Sequence, residues 1–214
     1  EPVTTYDFAI VGAGIAGASL AAELTDGGAS VLMLEAEDRP GYHATGRSAA
    51  FWEECYGGPE IVPLTLASGA YLRDGGFLHQ RGALYIGREG DEELVTQFMQ
   101  RFVPTGATIQ HLGRAELQRR IGGIRHDWSD AIWEPMCADI DVARLHAHFL
   151  AQAQGGGASL ECRARLVNAS RADGQWTLTT ERGETHHAAV LVNAAGAWAD
   201  EIARLAGAQP AAPQ

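Results

Sequence analysis

Lysine is missing from this chain. All 16 basic side chains are arginine, so neither a lysine Schiff base nor a P-loop lysine can come from within it. Positive charge is scarce overall. The 27 acidic residues leave a net charge of −11, which argues against nucleic acid or an anionic membrane surface as a partner. Cysteine is sparse too. Cys55, Cys137 and Cys162 are odd in number and far apart, which is neither a zinc spacing nor a disulfide framework. A reducing, cytoplasmic compartment fits best. No apolar run is long enough to span a bilayer. The stretch Phe8–Leu24 is no signal-peptide core: no basic region precedes it, glycines break it and Glu23 stands at its end. Metal ligands are not assembled by spacing. His146 and His148 are two apart on an expected helix and face different sides. His186-His187 is expected to be solvated at a strand start, and no third ligand stands at a suitable distance in sequence, so no metal is expected.

The rest of the composition is that of a soluble globular protein, 46% hydrophobic and 20% charged in 214 residues. That length holds one large domain or one and a half.

The informative part is at the start. Asp7-Phe8-Ala9-Ile10-Val11 is an apolar run of strand length, followed at once by Gly12-Ala13-Gly14-Ile15-Ala16-Gly17. Ala18–Leu24 reads as helix. Ala29-Ser30-Val31-Leu32-Met33-Leu34 reads as a second strand, ending in Glu35-Ala36. With 26 glycines in the chain, a bare GxGxxG would carry little weight. The strand before it, the helix after it and the acid beyond make it a dinucleotide-binding fingerprint. Gly12 permits the tight turn, Gly14 lets a pyrophosphate approach the backbone, and Gly17 lets helix and strand pack closely. The free N–H groups and the positive end of the helix dipole suit a diphosphate. Glu35 can accept hydrogen bonds from ribose hydroxyls and repels a 2′-phosphate, which disfavours NADP. The plain alternative is a glycine-rich turn without a ligand.

Further along, residues 38–58 read as loop. Pro63–Leu72 reads as helix, Phe77–His79 and Ala83–Gly87 as a pair of strands, and Asp91–Phe102 as an amphipathic helix. Leu112–Ile121 and Asp141–Gln154 are further helices, the latter capped by Asp139 or Asp141 and stopped by Gly155-Gly156-Gly157. Leu160–Val167 and Gln175–Thr180 alternate and are joined by an Asp173-Gly174 turn. His187–Val192 is a buried strand, followed by Asn193-Ala194-Ala195-Gly196-Ala197-Trp198 and a short helix. No internal repeat is visible. The middle of the chain therefore leaves the nucleotide-binding layer and returns to it.

Three more segments narrow the cofactor: Gly41-Tyr42-His43-Ala44-Thr45-Gly46-Arg47-Ser48-Ala49-Ala50, Asp139-Ile140-Asp141, and Val190–Trp198. With the opening GAGIAG and Glu35, this pattern resembles the glycine oxidase and D-amino-acid oxidase family of FAD enzymes. Within it, the pattern is most like bacterial D-amino-acid dehydrogenases of the D-arginine type. The resemblance implies an α/β fold: a Rossmann-like FAD-binding domain of the glutathione-reductase type with a β-hairpin or meander, plus part of an inserted α+β substrate domain. It divides the chain into 1–59 (FAD-binding, first part), 60–157 (inserted substrate-domain segment) and 158–214 (FAD-binding, returning part), with the remainder of the family fold absent.

The resemblance also implies site residues. Thr45, Gly46, Arg47, Ser48, Ala49 and Ala50 lie along the FAD diphosphate and flavin edge, and Arg47 has a surface ion pair as its ordinary alternative. Ala194, Ala195 and Gly196 form a small-residue turn that a ligand can approach closely, with Trp198 in the segment behind it. Leu166 matches a position whose backbone meets adenine, or is an ordinary core leucine. Tyr56 matches a substrate-side tyrosine and is the one catalytic candidate; otherwise it packs on Trp52. Glu53-Glu54 reads as surface loop.

The implied reaction moves a hydride from an amine-bearing carbon to flavin N5, after which the imine hydrolyses. The flavin supplies the chemistry and the protein orients the carbon. Members of the family that take basic substrates carry a histidine where this chain has Phe51, and an acid where it has Ala83. An uncompensated guanidinium in an apolar pocket is costly, so a neutral amine or amino acid is the expected substrate. The arginine that clamps the carboxylate lies in the family's second half, so little turnover is expected from this chain alone. A second polypeptide carrying the rest of the fold, a non-catalytic FAD-binding fragment, and an NAD-binding Rossmann dehydrogenase stay open beside this reading. These residues do not identify the electron acceptor.

Overall fold

The computed structural model describes residues 5–210. Its elements run β1 (Thr5–Val11), α1 (Ile15–Asp26), β2 (Val31–Leu34), α2 (Ala44–Arg47), β3 (Phe51–Trp52), α3 (Val62–Asp74), β4 (Leu78–Gln80), β5 (Ala83–Arg88), α4 (Glu92–Phe102), β6 (Gln110–Gly113) and α5 (Arg114–Arg120). They continue as β7 (Trp128–Glu134), β8 (Ala138–Ile140), α6 (Val142–Gly155), β9 (Ser159–Glu161), β10 (Leu166–Ala172), β11 (Gln175–Thr180), β12 (Thr185–Asn193) and α7 (Ala199–Leu205). The described residues form two compact units, residues 5–48 with 142–210, and residues 49–141.

The first unit is a six-stranded mixed sheet in the order β10-β11-β12-β1-β2-β9. β1 runs parallel to both β12 and β2, and β2 is parallel to β9. Period-2 alternation assigns each apolar residue of β1 and β2 to a face. Ile10, Val31 and Met33 face Ala21 and Ala22 of α1 and Ala153 of α6. Ala9, Val11, Leu32 and Leu34 face the other way, against Leu166, Leu178, Ala188 and Ile202 of the β10–β12 meander and α7. Both faces are covered, which is why the two strands are apolar almost throughout. Truncating a fully buried member such as Leu178 to alanine costs about 2–5 kcal/mol.

Two expectations change here. The alternating run Leu160–Val167 is not one strand. β9 ends at Glu161 and adds to the parallel edge, and the chain then turns through Arg163, whose φ is +55°. Arg163 and Ala164 donate their N–H groups to the carbonyls of Glu37 and Glu35, and β10 starts the meander. The β10–β11 turn falls at Asp173-Gly174 as expected, both with positive φ, as a type I′ hairpin requires. The boundaries also move, from 59/60 and 157/158 to 48/49 and 141/142. The reason is packing: α6 lies against α1 in the nucleotide-binding layer, while Phe51-Trp52 pairs with β8.

The second unit holds two three-stranded sheets, β3-β8-β4 and β5-β7-β6. The strands expected as a pair are thus divided: β4 joins β8, and β5 joins β7. α4 follows its 3.6-residue period, placing Phe98 and Phe102 against Val62 and Cys55. Leu112–Ile121 is not a single helix. Leu112 lies in β6, opposite Ala131, and the helix starts only after Gly113. Asp139 sits in β8 and pairs with Arg81, so it is not a helix cap. Among the described residues no helix is long and apolar enough to cross a membrane.

Candidate FAD site

The glycine turn is built by close approach. At Gly12, φ is +102° and a Cβ would lie 2.4 Å from the Ala194 carbonyl oxygen. A Cβ on Gly17 would stand 1.9 Å from the Gly12 oxygen. Neither position admits a side chain, and together they seat α1 on the end of β1. A Cβ on Gly14 would come within 3.1 Å of Thr45 Oγ1. That hydroxyl accepts the Ile15 N–H at 3.0 Å, so one donor expected to be free for a diphosphate is already held by the protein. Other first-turn N–H groups of α1 have no carbonyl within the helix to bind.

Glu35 is buried and fastens two segments. One oxygen accepts the Ala13 N–H at 3.1 Å, and the other accepts the Glu37 N–H at 2.9 Å. Each oxygen keeps a lone pair for a ribose hydroxyl. Behind the turn, His146 of α6 places Nε2 2.8 Å from the Ala13 carbonyl. A Cβ at Gly41, where φ is +73°, would fall 2.7 Å from the same imidazole. His146 therefore holds both the glycine turn and the start of the following loop. Periodicity predicts its helix, but nothing in sequence marks the contact, which is 133 residues distant.

The loop packs through rings. The guanidiniums of Arg39 and Arg47 lie 5.2 and 5.0 Å from the Tyr42 ring centroid, and Arg47 Nε donates to the Tyr42 carbonyl at 3.3 Å. Arg47 is thus placed by an aromatic face and a carbonyl. His43 pairs with Glu37 at 2.8 Å and stacks obliquely on Trp198, with centroids 4.5 Å apart.

These groups surround one cavity of about 470 Å³, within the range of small-molecule sites. Gly12, Gly14, Ile15 and Ala16 line it, as do Glu35 and Ala36. Thr45 and Arg47 come from the loop, and Leu166 from the meander, while Ala194, Ala195, Gly196 and Trp198 close the wall. Tyr42 and His43 also line it; both stand in the loop motif without having been singled out. Gly17, Gly46 and Ser48 are not lining residues. Gly46 is required by packing, since its Cβ would lie 2.3 Å from the Gly41 oxygen. Ala49 and Ala50 belong to the second unit, where the Ala50 carbonyl accepts the Ile140 N–H.

In that second unit Tyr56 is 75% exposed, whereas Trp52 is buried and donates Nε1 to the Thr65 carbonyl; the tyrosine is not packed away. Phe51 is exposed under the Arg81 guanidinium. Glu53-Glu54 is not a surface loop: Glu54 is 3% exposed and accepts the Thr108 N–H. Glu134, fully buried, accepts the Glu54 N–H, and Tyr85 bonds both Glu53 and Glu134. Glu134 pairs across from Ala83, so a carboxylate does stand beside that position, on the neighbouring strand. Burial, with Glu53 and Glu54 adding to it against the Glu54 N–H, pushes the Glu134 carboxyl up to about 7. Burial beside Glu134 likewise pushes the Cys55 thiol up to about 12, which leaves it inert.

A parallel β-α-β layer with a glycine turn, an acid at the end of the second strand and a small-residue turn closing the cavity defines a dinucleotide-binding protein of the Rossmann type. Residues 7–214 match the family model described as DAO, FAD dependent oxidoreductase, and the chain belongs to that family. FAD is its cofactor, and the glycines that leave no room for a side chain at the cavity wall fit that assignment. A curated relative, L-2-hydroxyglutarate dehydrogenase from Escherichia coli (strain UMN026), is 24% identical across 96% of this chain and 51% of its own length. The solved glycine oxidase from Geobacillus kaustophilus superposes with a TM-score of 0.83 at 23% identity, covering 95% of this chain and 58% of that one. L-α-glycerophosphate oxidase from Mycoplasma pneumoniae, with FAD bound, gives a TM-score of 0.87 at 18% identity over 96% and 58%. The chain spans about half the length of the curated relatives it matches.

Proposed function

We propose that this chain forms the FAD-binding part, and a share of the substrate domain, of an oxidoreductase that takes a hydride from the amine-bearing carbon of a small neutral amino acid. The observation that carries the reading is the single cavity in which four separated segments meet: the glycine turn, Glu35, the Thr45–Arg47 loop and the Ala194–Gly196 turn. When bound, FAD supplies hydride acceptance. The chain's own residues bind and orient it. The α1 N-terminus and Arg47 would hold the diphosphate and Glu35 the ribose, while His146 keeps the turn in place from behind. Tyr56 offers an exposed hydroxyl for the substrate side.

The TGRSAA segment with Tyr56 resembles the D-arginine type of dehydrogenase, whereas Phe51 and Ala83 favour a neutral side chain. Glu134 beside Ala83 is fully buried and offers no surface to a cationic substrate. A second reading, oxidation of a 2-hydroxy acid, draws on the similarity to proteins named L-2-hydroxyglutarate dehydrogenase. The test is anaerobic mixing of the FAD-loaded enzyme, this chain together with the rest of the family fold, with D-amino acids, L-amino acids and 2-hydroxy acids, following loss of the flavin's visible absorbance. Bleaching by neutral D-amino acids is expected. Bleaching by 2-hydroxy acids alone would replace the amine reading, and bleaching by D-arginine but not by neutral side chains would overturn the role given to Phe51 and Ala83.

A further inference from the structure

Away from the cofactor cavity, the nucleotide-binding unit brings three metal-ligating side chains to one point. Glu184, just before β12, and His186, on it, are two residues apart in extended chain, so both side chains leave on the same side. Glu161, the last residue of β9, reaches the same place from the far edge of the sheet. One ligand atom from each lies within 4.8 Å of the other two. None of the three lines the cofactor cavity.

The imidazole's surroundings point to an ion. His186 was expected to be solvated, yet its side chain is 14% exposed, and Nε2 is sealed from solvent with no hydrogen bond. That nitrogen stands 3.3 Å from Glu161 Oε2, close in distance but misaligned for an N–H···O bond. A tetrahedral zinc ion with N and O ligands at about 2.0–2.2 Å sets neighbouring donor atoms about 3.3–3.5 Å apart, so the observed separation is that of a coordination edge. Glu184 has an oxygen to give: Oε1 takes the Arg182 guanidinium at 3.0 Å, while Oε2 accepts a long bond from the Thr180 hydroxyl, at 3.4 Å. Two carboxylates around one imidazole place negative charge where a divalent cation neutralises it. A mixed nitrogen and oxygen donor set suits zinc-like ions better than calcium or magnesium.

We propose that Glu161, Glu184 and His186 bind one divalent transition-metal ion of the zinc class, with water as fourth ligand, and that the ion ties the β9 edge to the β-meander. The clip anchors a functional edge, because the Glu161 carbonyl accepts the Glu35 N–H at 2.8 Å.

The probe is Zn²⁺ added to metal-stripped holoprotein. Calorimetry is expected to show one saturable site per chain. With free Zn²⁺ a hundredfold above Kd, Tm should rise by about 5 °C or more. His186→Gln and Glu161→Gln should each weaken binding at least tenfold and abolish the Tm rise, while Glu181→Gln, an exposed acid whose side chain pairs with Arg165, should leave both unchanged. X-ray absorption at the zinc edge on the unmutated protein should show an all N/O shell with one imidazole, a result independent of whether the variants fold. Absence of saturable binding, binding unaffected by either variant, or a shell without imidazole would overturn the proposal.

Discussion

Removing Glu35 probes how far the cofactor site and the fold share one side chain. In Glu35→Ala the Ala13 N–H, buried and bonded at 3.1 Å, loses its acceptor, as does the half-buried Glu37 N–H at 2.9 Å. An unsatisfied buried donor costs about 1–3 kcal/mol, and the partly solvated one less, so the apoprotein should lose about 2–4 kcal/mol. For a chain of this size that is a Tm lower by roughly 4–16 °C. Loss of the charge-assisted ribose contacts should separately weaken FAD binding roughly tenfold to a hundredfold, from about 1.5–3 kcal/mol. Glu35→Gln keeps one acceptor oxygen and should fall between alanine and wild type on both scales. Thermal unfolding without FAD reads the first effect, and FAD titration reads the second. An apoprotein Tm within about 1 °C of wild type would refute the double anchoring, and unchanged FAD affinity would refute the ribose contact.

Other outcomes follow from neighbouring groups. Gly14→Val puts a branched side chain at the cavity wall against Thr45 Oγ1 and should abolish FAD binding, read by flavin retention after desalting. His146→Ala removes the buried bond to the Ala13 carbonyl; it should lower Tm and weaken FAD at least severalfold, while a change in Tm alone would deny His146 a part in shaping the turn. Glu134 makes the second unit sensitive to pH. Burial raises its pKa to about 7 from the ordinary glutamate value of 4.5, so the stability it confers is full below about 4.5 and lost as pH rises through about 7. Urea midpoints should therefore fall across that window, and Glu134→Gln should flatten the profile; parallel profiles would contradict this origin.

What the sequence makes legible tracks how local the determining physics is. The first β-α-β unit, Gly12, Gly17 and the Asp173-Gly174 turn are fixed by neighbours a few residues away, and they stand where expected. The two-sided burial of β2 shows in its unbroken Val31–Leu34 run. Long-range pairing is less visible. Alternation from Leu160 to Val167 looks like one strand, because the turn at Arg163 is imposed by the carbonyls of Glu35 and Glu37, not by a glycine or proline. Glu54 looks like a surface acid because its acceptor role depends on Thr108. The same holds for His146 and for the convergence of Glu161 with His186: helix and strand periods give the direction of each side chain, but not what the meander folds it against.

The central claim is that the cavity holds FAD. Its most direct test is to titrate the apoprotein with FAD and, separately, with NAD, following flavin fluorescence and NAD binding by calorimetry, for wild type and Gly14→Val. Wild type should bind FAD saturably and one-to-one, Gly14→Val should bind none, and NAD should show no saturable binding. Saturable NAD binding without FAD binding, or FAD binding indifferent to valine at position 14, would contradict it.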